Sequence, residues 1–199
     1  MKEVPIVMTI GSTRLNLIRQ TLETLFKNTT YPHKLYIAGS NQSSTSYIIT
    51  KNEIIASLRD YDYIVSVDDD VYLRPGWLEK LIEAHEKNPD IWALSACSYS
   101  IHHTLLAERE DILVTDGFLG ACCSIKKDYF QTYSKIPETR VWDRAITMKL
   151  KERNQQVGRL KDDTYVIHCG IKRHDGFAYT GAWVNRVKEL AKEYGAVLQ

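Results

Sequence analysis

An α/β domain with a mostly parallel central sheet flanked by helices is the fold class this sequence predicts, and three observations carry the prediction. Short apolar runs of strand length alternate, through the first half of the chain, with segments whose apolar residues recur at helical spacing. The stretches between successive strands are long enough for crossover connections, which parallel strands require and hairpins do not. Runs such as VPIVMTI and YIVSV are apolar almost throughout, as strands covered by helices on both faces are.

The elements follow in order. Val4–Ile10 reads as a buried strand ending at Gly11-Ser12. Leu17, Ile18, Thr21, Leu22, Leu25 and Phe26 then repeat at helical spacing, with Asn28-Thr29-Thr30 and Pro32 as stop signals. Leu35–Ala38 is a second strand, broken by the polar loop Gly39–Ser46, and Ile48–Leu58 is helical. Tyr63–Val67 is a third strand that runs straight into Asp68, Asp69 and Asp70. Pro75-Gly76 precedes an amphipathic helix carrying Trp77, Leu78, Leu81, Ile82 and His85, and Ile91–Ala96 is a fourth strand. In sheets of this kind ligands bind beyond the carboxyl ends of the strands, so the loops Gly11–Arg14, Gly39–Ser46 and Asp68–Arg74 are expected to converge on one site.

The second half is less regular and predicts a small antiparallel part. Ile112–Thr115 and Phe118–Ile125 are strand-like, Asp143–Arg153 is a helix and Thr164–Cys169 is a strand. A charged, Gly-bearing loop, Ile171–Gly181, precedes a last helix with Trp183, Val187, Leu190 and Tyr194 on one face, a stripe expected to pack inward. With no linker or repeat, residues 1–199 are expected to form one domain.

Composition excludes several function classes. Lys and Arg number 26 against 25 for Asp and Glu, so no basic excess points to nucleic acid. The apolar run at the N-terminus is too short for a signal peptide or a transmembrane segment, which makes a cytoplasmic chain the expectation. Cys97, Cys122, Cys123 and Cys169 lack metal-site spacing and read as buried thiols, with a bridge at Cys97 left open.

The chemistry concentrates in VSVDDDVYLRPGWLEKL, residues 65–81. Three adjacent carboxylates at a strand end repel one another unless solvent or a cation relieves them. Hard oxygen ligands suit Mg²⁺ or Mn²⁺, with waters and a substrate diphosphate completing the shell. A solvated acidic turn that caps the next helix is the plainer alternative.

This segment resembles the D-x-D block of the inverting glycosyltransferases of family 2, which have the GT-A fold; Asp70 and Pro75 keep that family's spacing. VMTIGSTRLNLIRQTLETL, residues 7–25, is similar to the family's opening nucleotide-binding strand, with Thr9 and Arg14 at matching positions. NQSST, residues 41–45, resembles a loop in which an Asp usually accepts the N3–H of uracil; Asn41 stands there instead. Lys51-Asn52 resembles a basic-Asn pair beside the nucleotide. DGFLGACCSIKKDYF, residues 116–130, is similar to the block lining the acceptor side. VWDRAITMKLKERNQQVGRL, residues 141–160, looks like the E/D-D-x-x-L helix, with Asp143 at the catalytic base and Trp142 where Glu is common. TYVIHCG, residues 164–170, resembles the closing strand whose His completes the metal site.

The resemblance implies a nucleotide-binding half over residues 1–100, an acceptor and catalytic half over 101–182 and a C-terminal helix over 183–199. It implies that Asp70, Asp68 and His168 serve a Mn²⁺ or Mg²⁺ ion, and that Thr9, Arg14, Asn41, Asn52, Asp68 and Asp69 hold a nucleotide-diphosphate sugar. Lys172, Arg173 and His174 would close over the diphosphate. Asp143 would deprotonate the acceptor hydroxyl so that it attacks with inversion. The acceptor stays open among glycan, lipid, protein and small molecule. A chain this short lacks the appended helices of larger relatives, so acceptor specificity is expected from a partner protein or a homodimer; compact versions of this kind occur in viruses and thermophiles. The rival expectations are a nucleotidyltransferase, for which the GSTR turn is a poor phosphate loop, and a non-catalytic nucleotide-sugar or cation-binding module.

Overall fold

The computed structural model describes residues 2–11, 14–39, 46–97, 103–139, 141–170 and 182–199. Its first half alternates as read: β1 (Val4–Ile10), α1 (Leu15–Asn28), β2 (His33–Gly39), α2 (Ser46–Ala56) and β3 (Tyr63–Asp68), then β4 (Val71–Leu73), α3 (Trp77–Lys87) and β5 (Ile91–Ser95). The second half adds β6 (Leu105–Glu108), β7 (Ile112–Thr115), β8 (Cys122–Lys126), α4 (Lys127–Tyr133), α5 (Trp142–Lys151), β9 (Gln156–Leu160), β10 (Val166–His168) and α6 (Ala182–Tyr194).

Eight strands form one sheet in the order β2-β1-β3-β8-β5-β9-β7-β6. The pairings leave only β7 and β8 opposed to the other strands, so the sheet is mostly parallel. β8 comes from the second half yet sits between β3 and β5 of the first. The two expected halves therefore interleave within one sheet.

Alternation along each strand divides the core. Val65 and Val67 face the α3 side, packed with Trp77, Leu78, Leu81 and Ile82. Ile64 and Val7 face α2, α4 and α5, packed with Ile48, Ile55, Tyr129, Ile146 and Leu150. The α6 stripe packs inward as expected: Val187 and Leu190 meet Leu17, Ile167 and Cys169, with Trp183 and Tyr194 against them. Among the described residues no helix is long and apolar enough to cross a membrane. All four cysteines are buried and free, which removes the bridge left open at Cys97.

Four elements depart from the sequence expectation: β4, β6, α4 and β9 were not anticipated, and the strand expected over Phe118–Ile125 begins only at Cys122. The last difference has a local cause. Gly120 lies against the Trp142 ring, and a Cβ there would stand 2.5 Å from that ring, so this stretch is shaped by docking on α5 rather than by ladder pairing.

β4 matters most for the site. It pairs with β10 in a two-stranded antiparallel ribbon, His168 opposite Val71 and Ile167 opposite Tyr72. Its other edge is satisfied by side chains of α1. Thr21 Oγ1 both donates to the Val71 carbonyl (2.8 Å) and accepts from the Val71 N–H (3.1 Å). Thr24 Oγ1 accepts from Leu73 N–H (3.2 Å), and Asn28 Nδ2 donates to Leu73 O (2.7 Å). A buried strand edge without partners would be costly, and this polar helix stripe supplies them. The ribbon fixes Asp70, the residue before it.

Candidate active site

The three carboxylates end up with three different environments. Asp68 closes β3, opposite Thr9 of β1, and its N–H donates to the Ala121 carbonyl at 2.7 Å. Asp69 is buried, and its Oδ2 accepts the Gly11 N–H at 3.0 Å, tying the loop after β1 to the β3–β4 turn. Asp70 is also buried, with Oδ2 2.7 Å from Arg14 Nη2 and Oδ1 3.2 Å from His168 Nε2. The Cys169 N–H donates to the Asp70 carbonyl at 2.7 Å, which locks β10 beside the turn and brings His168 to the carboxylate.

Sequence reasoning named Asp70, His168 and Arg14 and placed the first two together; the ion pair between Arg14 and Asp70 it did not anticipate. Gly170 is a further residue it passed over. A Cβ at Gly170 would lie 2.1 Å from Asp70 Oδ2 and 3.1 Å from Arg14 Nη1, so the bare backbone is what admits the pair.

Lys51 is fully buried, a rare setting for a lysine. Its Nζ donates to Ser66 Oγ and lies 4.4 Å from the centroid of the Trp142 ring. Burial lowers its pKa, while Asp68, Cys123 and Asp143 oppose that shift. Lys51 Nζ thus lies within electrostatic reach of both Asp68 and Asp143. Its neighbour Asn52 has a structural occupation: Nδ2 donates to Ile136 O (2.9 Å) and Oδ1 accepts Ile136 N–H (2.8 Å). Both ends of that amide are engaged by the loop between α4 and α5, where the sequence placed a nucleotide contact.

Asp143 sits in the first turn of α5. Its Oδ2 accepts the Gly120 N–H at 3.2 Å and its Oδ1 accepts the Arg144 N–H at 2.8 Å. Gly120 directly precedes Ala121, whose carbonyl accepts the Asp68 N–H, so the two residues Gly120 and Ala121 link the Asp143 carboxylate to the Asp68 backbone. Trp142, where the resemblance has Glu, is buried against Phe118 in an edge-on contact and under Lys51. Thr9 Oγ1 is buried beside Asp68 with no hydrogen-bond partner. Asn41, Lys172, Arg173 and His174 lie outside the described residues.

The donor set fits a divalent cation in part. Asp70 Oδ1 is buried and faces an imidazole nitrogen, His168 Nε2 at 3.2 Å. One carboxylate oxygen and one imidazole suit Mn²⁺ better than Mg²⁺, which prefers oxygen alone. Among the described residues no group of three or more His, Cys, Asp or Glu gathers for a metal.

These charges set how metal-free stability depends on pH. Burial disfavours the Asp70 carboxylate, but His168 and Arg14 outweigh it and hold the carboxyl at about 2, below its ordinary 3.8. That contribution is present above pH 3.8 and lost as pH falls towards 2, at about 2 kcal/mol for the shift. Burial also works against the His168 proton, yet Asp70 prevails and raises its pKa above 6.5. The same ion pair is therefore lost again as pH climbs past 6.5. Burial pushes Asp68 up to about 7 against the opposing charge of Lys51, and that group too loses stability as pH rises from 3.8 through 7. Melting temperature without metal is expected to peak slightly above pH 4 and decline on both sides. A melting temperature flat from there to pH 8 would contradict this balance.

The comparisons with known proteins bear on this geometry. The family model described as Glycosyl transferase family 2 matches residues 51–174, from Lys51 through Asp68–Asp70, Asp143 and His168. The chain belongs to glycosyl transferase family 2. As a member of it, the chain is a glycosyltransferase, and Thr9, Arg14 and Asn41 lie upstream of the matched segment. No curated protein matches the chain. Among solved structures it is similar to A197 from STIV, at 16% identity and a TM-score of 0.52 over 80% of this chain and 82% of that one. It is similar to the mannosyltransferase PcManGT from Pyrobaculum calidifontis, solved in complex with GDP-Man and Mn²⁺ (12%, 0.55, 77% of this chain and 53% of that one). It is also similar to residues 1–349 of TarS from S. aureus (12%, 0.57, 83% and 60%). At these identities the likeness establishes a GT-A fold, and the chain spans between half and two thirds of the two larger proteins.

Proposed function

We propose that this glycosyltransferase moves a sugar from a nucleotide-diphosphate donor to an acceptor hydroxyl with inversion. Asp70 and His168 would hold Mn²⁺ or Mg²⁺ with the donor's diphosphate, and Asp143 is the base. The observation that carries the reading is the meeting of Asp70, His168 and Arg14 just beyond β3, with Asp143 tied to the Asp68 backbone through Gly120 and Ala121. The mannosyltransferase bound to GDP-Man and Mn²⁺ supports the donor and metal classes.

A divalent cation there would offset the charge gathering on the leaving nucleoside diphosphate. The remaining work falls to the chain. Thr9 would hydrogen-bond the donor, a role that its unpartnered hydroxyl beside Asp68 supports, and Asn41 is assigned the base from its sequence position. Asp68 faces the donor's ribose or sugar and assists the metal, while Asp69 keeps the β1 loop closed through Gly11. Asp143 takes the proton from the acceptor hydroxyl as it attacks the anomeric carbon from the far side. No covalent glycosyl-enzyme is needed. Acceptor choice is assigned to a partner protein or a second copy of the chain.

Binding isolates the metal part of this reading. Asp70→Asn is expected to abolish Mn²⁺-dependent affinity for UDP, GDP and TDP while keeping the fold. Calorimetric titration of each nucleotide with and without Mn²⁺ checks it, alongside release of nucleoside diphosphate from sugar donors. Equal Mn²⁺-dependent affinity in the variant and the wild type would remove Asp70 from the site.

A further inference from the structure

Asp70 is asked to do two things that conflict. As a metal ligand it must offer its oxygens to a divalent cation, yet the protein already supplies it with a cation of its own. Arg14 Nη2 stands 2.7 Å from Oδ2, with side chains only 19% and 10% exposed, so solvent screens the pair weakly. The space for it is built in, because any side chain at Gly170 would strike both partners. Asp68 and Asp69 have other compensation, from Lys51 and from the Gly11 N–H. Asp70 is the carboxylate that Arg14 Nη2 faces.

A divalent cation on Asp70 Oδ1 repels the guanidinium held on Oδ2 of the same carboxylate. Metal binding therefore weakens the hold of Asp70 on Arg14. A donor diphosphate offers its fork of donors a new partner of matching geometry.

We propose that Arg14 is a displaceable internal counter-cation: it occupies Asp70 in the metal-free protein and passes to the donor's diphosphate when metal and donor bind, so that the two bind as a coupled pair and metal alone binds poorly. This rests on Asp70 being a metal ligand, as proposed above. It makes Arg14 a positioning residue that disfavours metal without donor, rather than simply another nucleotide contact. The coupling is reciprocal: whatever factor the nucleotide adds to metal affinity, metal adds to nucleotide affinity.

The sign of one effect separates this from a structural role, since damage weakens metal binding and removal of a competitor strengthens it. Mn²⁺ is titrated by the paramagnetic resonance of the free ion into wild type, Arg14→Gln and Arg14→Lys, first alone and then with saturating UDP, GDP or TDP. Arg14→Gln is expected to bind Mn²⁺ alone about ten-fold more tightly, the factor set by a competing charge-assisted hydrogen bond with an equilibrium constant of about ten. The nucleotide should then add less to Mn²⁺ affinity in Arg14→Gln than in wild type, and Arg14→Lys should stay near wild type. If Arg14→Gln melts too early to titrate, a larger rise of its melting temperature with Mn²⁺ reports the same sign. Mn²⁺ affinity in Arg14→Gln equal to or weaker than wild type, with wild type still taking up Mn²⁺ beside nucleotide, overturns this inference alone. Absence of Mn²⁺ binding in every protein, with and without nucleotide, overturns it together with the metal part of the proposed function.

Discussion

Asp143→Asn is expected to slow sugar transfer by about 10²–10⁴-fold, the range for loss of a general base, while leaving metal and donor affinity unchanged. The substitution keeps the shape of the side chain. One of its two backbone contacts, from Gly120 or Arg144, loses an acceptor oxygen to an NH₂ group, which costs about 1 kcal/mol of stability. A residue that merely capped α5 would show that stability cost and little change in rate. Single-turnover transfer, measured beside nucleotide-sugar affinity and a thermal melt, separates the two roles. Slow hydrolysis of the donor should survive in the variant, since water can lose its proton to solvent. Transfer near the wild-type rate would return Asp143 to a capping role and move the search for a base to Asp116, whose carboxylate accepts the Thr104 N–H at 2.7 Å, or to the acceptor itself.

Much of the fold was legible because its pieces obey one periodicity at a time. β1, β3 and β5 are apolar runs of strand length, and α1, α3, α5 and α6 show their inner faces at helical spacing. The elements that escaped are those whose partners are distant or unusual. β4 is three residues long, too short to show alternation, and its edge is closed by Thr21, Thr24 and Asn28 of α1. In sequence Thr21 reads as part of the helical repeat and Asn28 as a stop signal, and neither marks a strand partner. β9 carries Gly158 and Arg159 between its apolar residues, which blurs the pattern. The antiparallel insertion of β8 between β3 and β5 is a matter of chain routing that local pattern does not encode.

The site divides in the same way. Asp68–Asp70 stand out alone as a strand that ends in charge, whereas His168 and Asp143 were picked out only by the order of blocks that the chain shares with its family. Their convergence needs the β4–β10 ribbon and the backbone of Gly120 and Ala121, neither visible in sequence. Lys51 illustrates the limit. A lysine in a helix normally lies at the surface, and it takes Ser66, Trp142 and the charges of Asp68 and Asp143, all from elsewhere in the chain, to make a buried one tenable. Asn52, expected at the nucleotide, also clamps Ile136, because an amide with one donor and one acceptor end matches a backbone unit edge-on.

Gly170→Ala is expected to remove Mn²⁺-dependent nucleotide binding, by about 100-fold or more, while the protein still folds. The added Cβ would stand 2.1 Å from Asp70 Oδ2 and 3.0 Å from its Cγ, so something must move. The backbone resists, since Cys169 N–H is bonded to the Asp70 carbonyl and His168 is in register with Val71. The Asp70 side chain is the softer partner, and it can rotate away only by giving up both Arg14 and His168. Losing one charged ligand interaction of about 3 kcal/mol accounts for the 100-fold, whereas overpacking of this kind costs about 1–3 kcal/mol of stability. Titration of Mn²⁺ with nucleoside diphosphate, alongside a thermal melt, distinguishes a lost site from a lost fold. A second comparison tests the cause. Because Gly170→Ala and Asp70→Asn would break the same contact, the double variant should bind no more weakly than Asp70→Asn alone, the non-additivity that residues in contact show. Wild-type affinity in Gly170→Ala would mean that Asp70 can reach the metal from another rotamer, and the bare backbone at this position would then serve Arg14 alone.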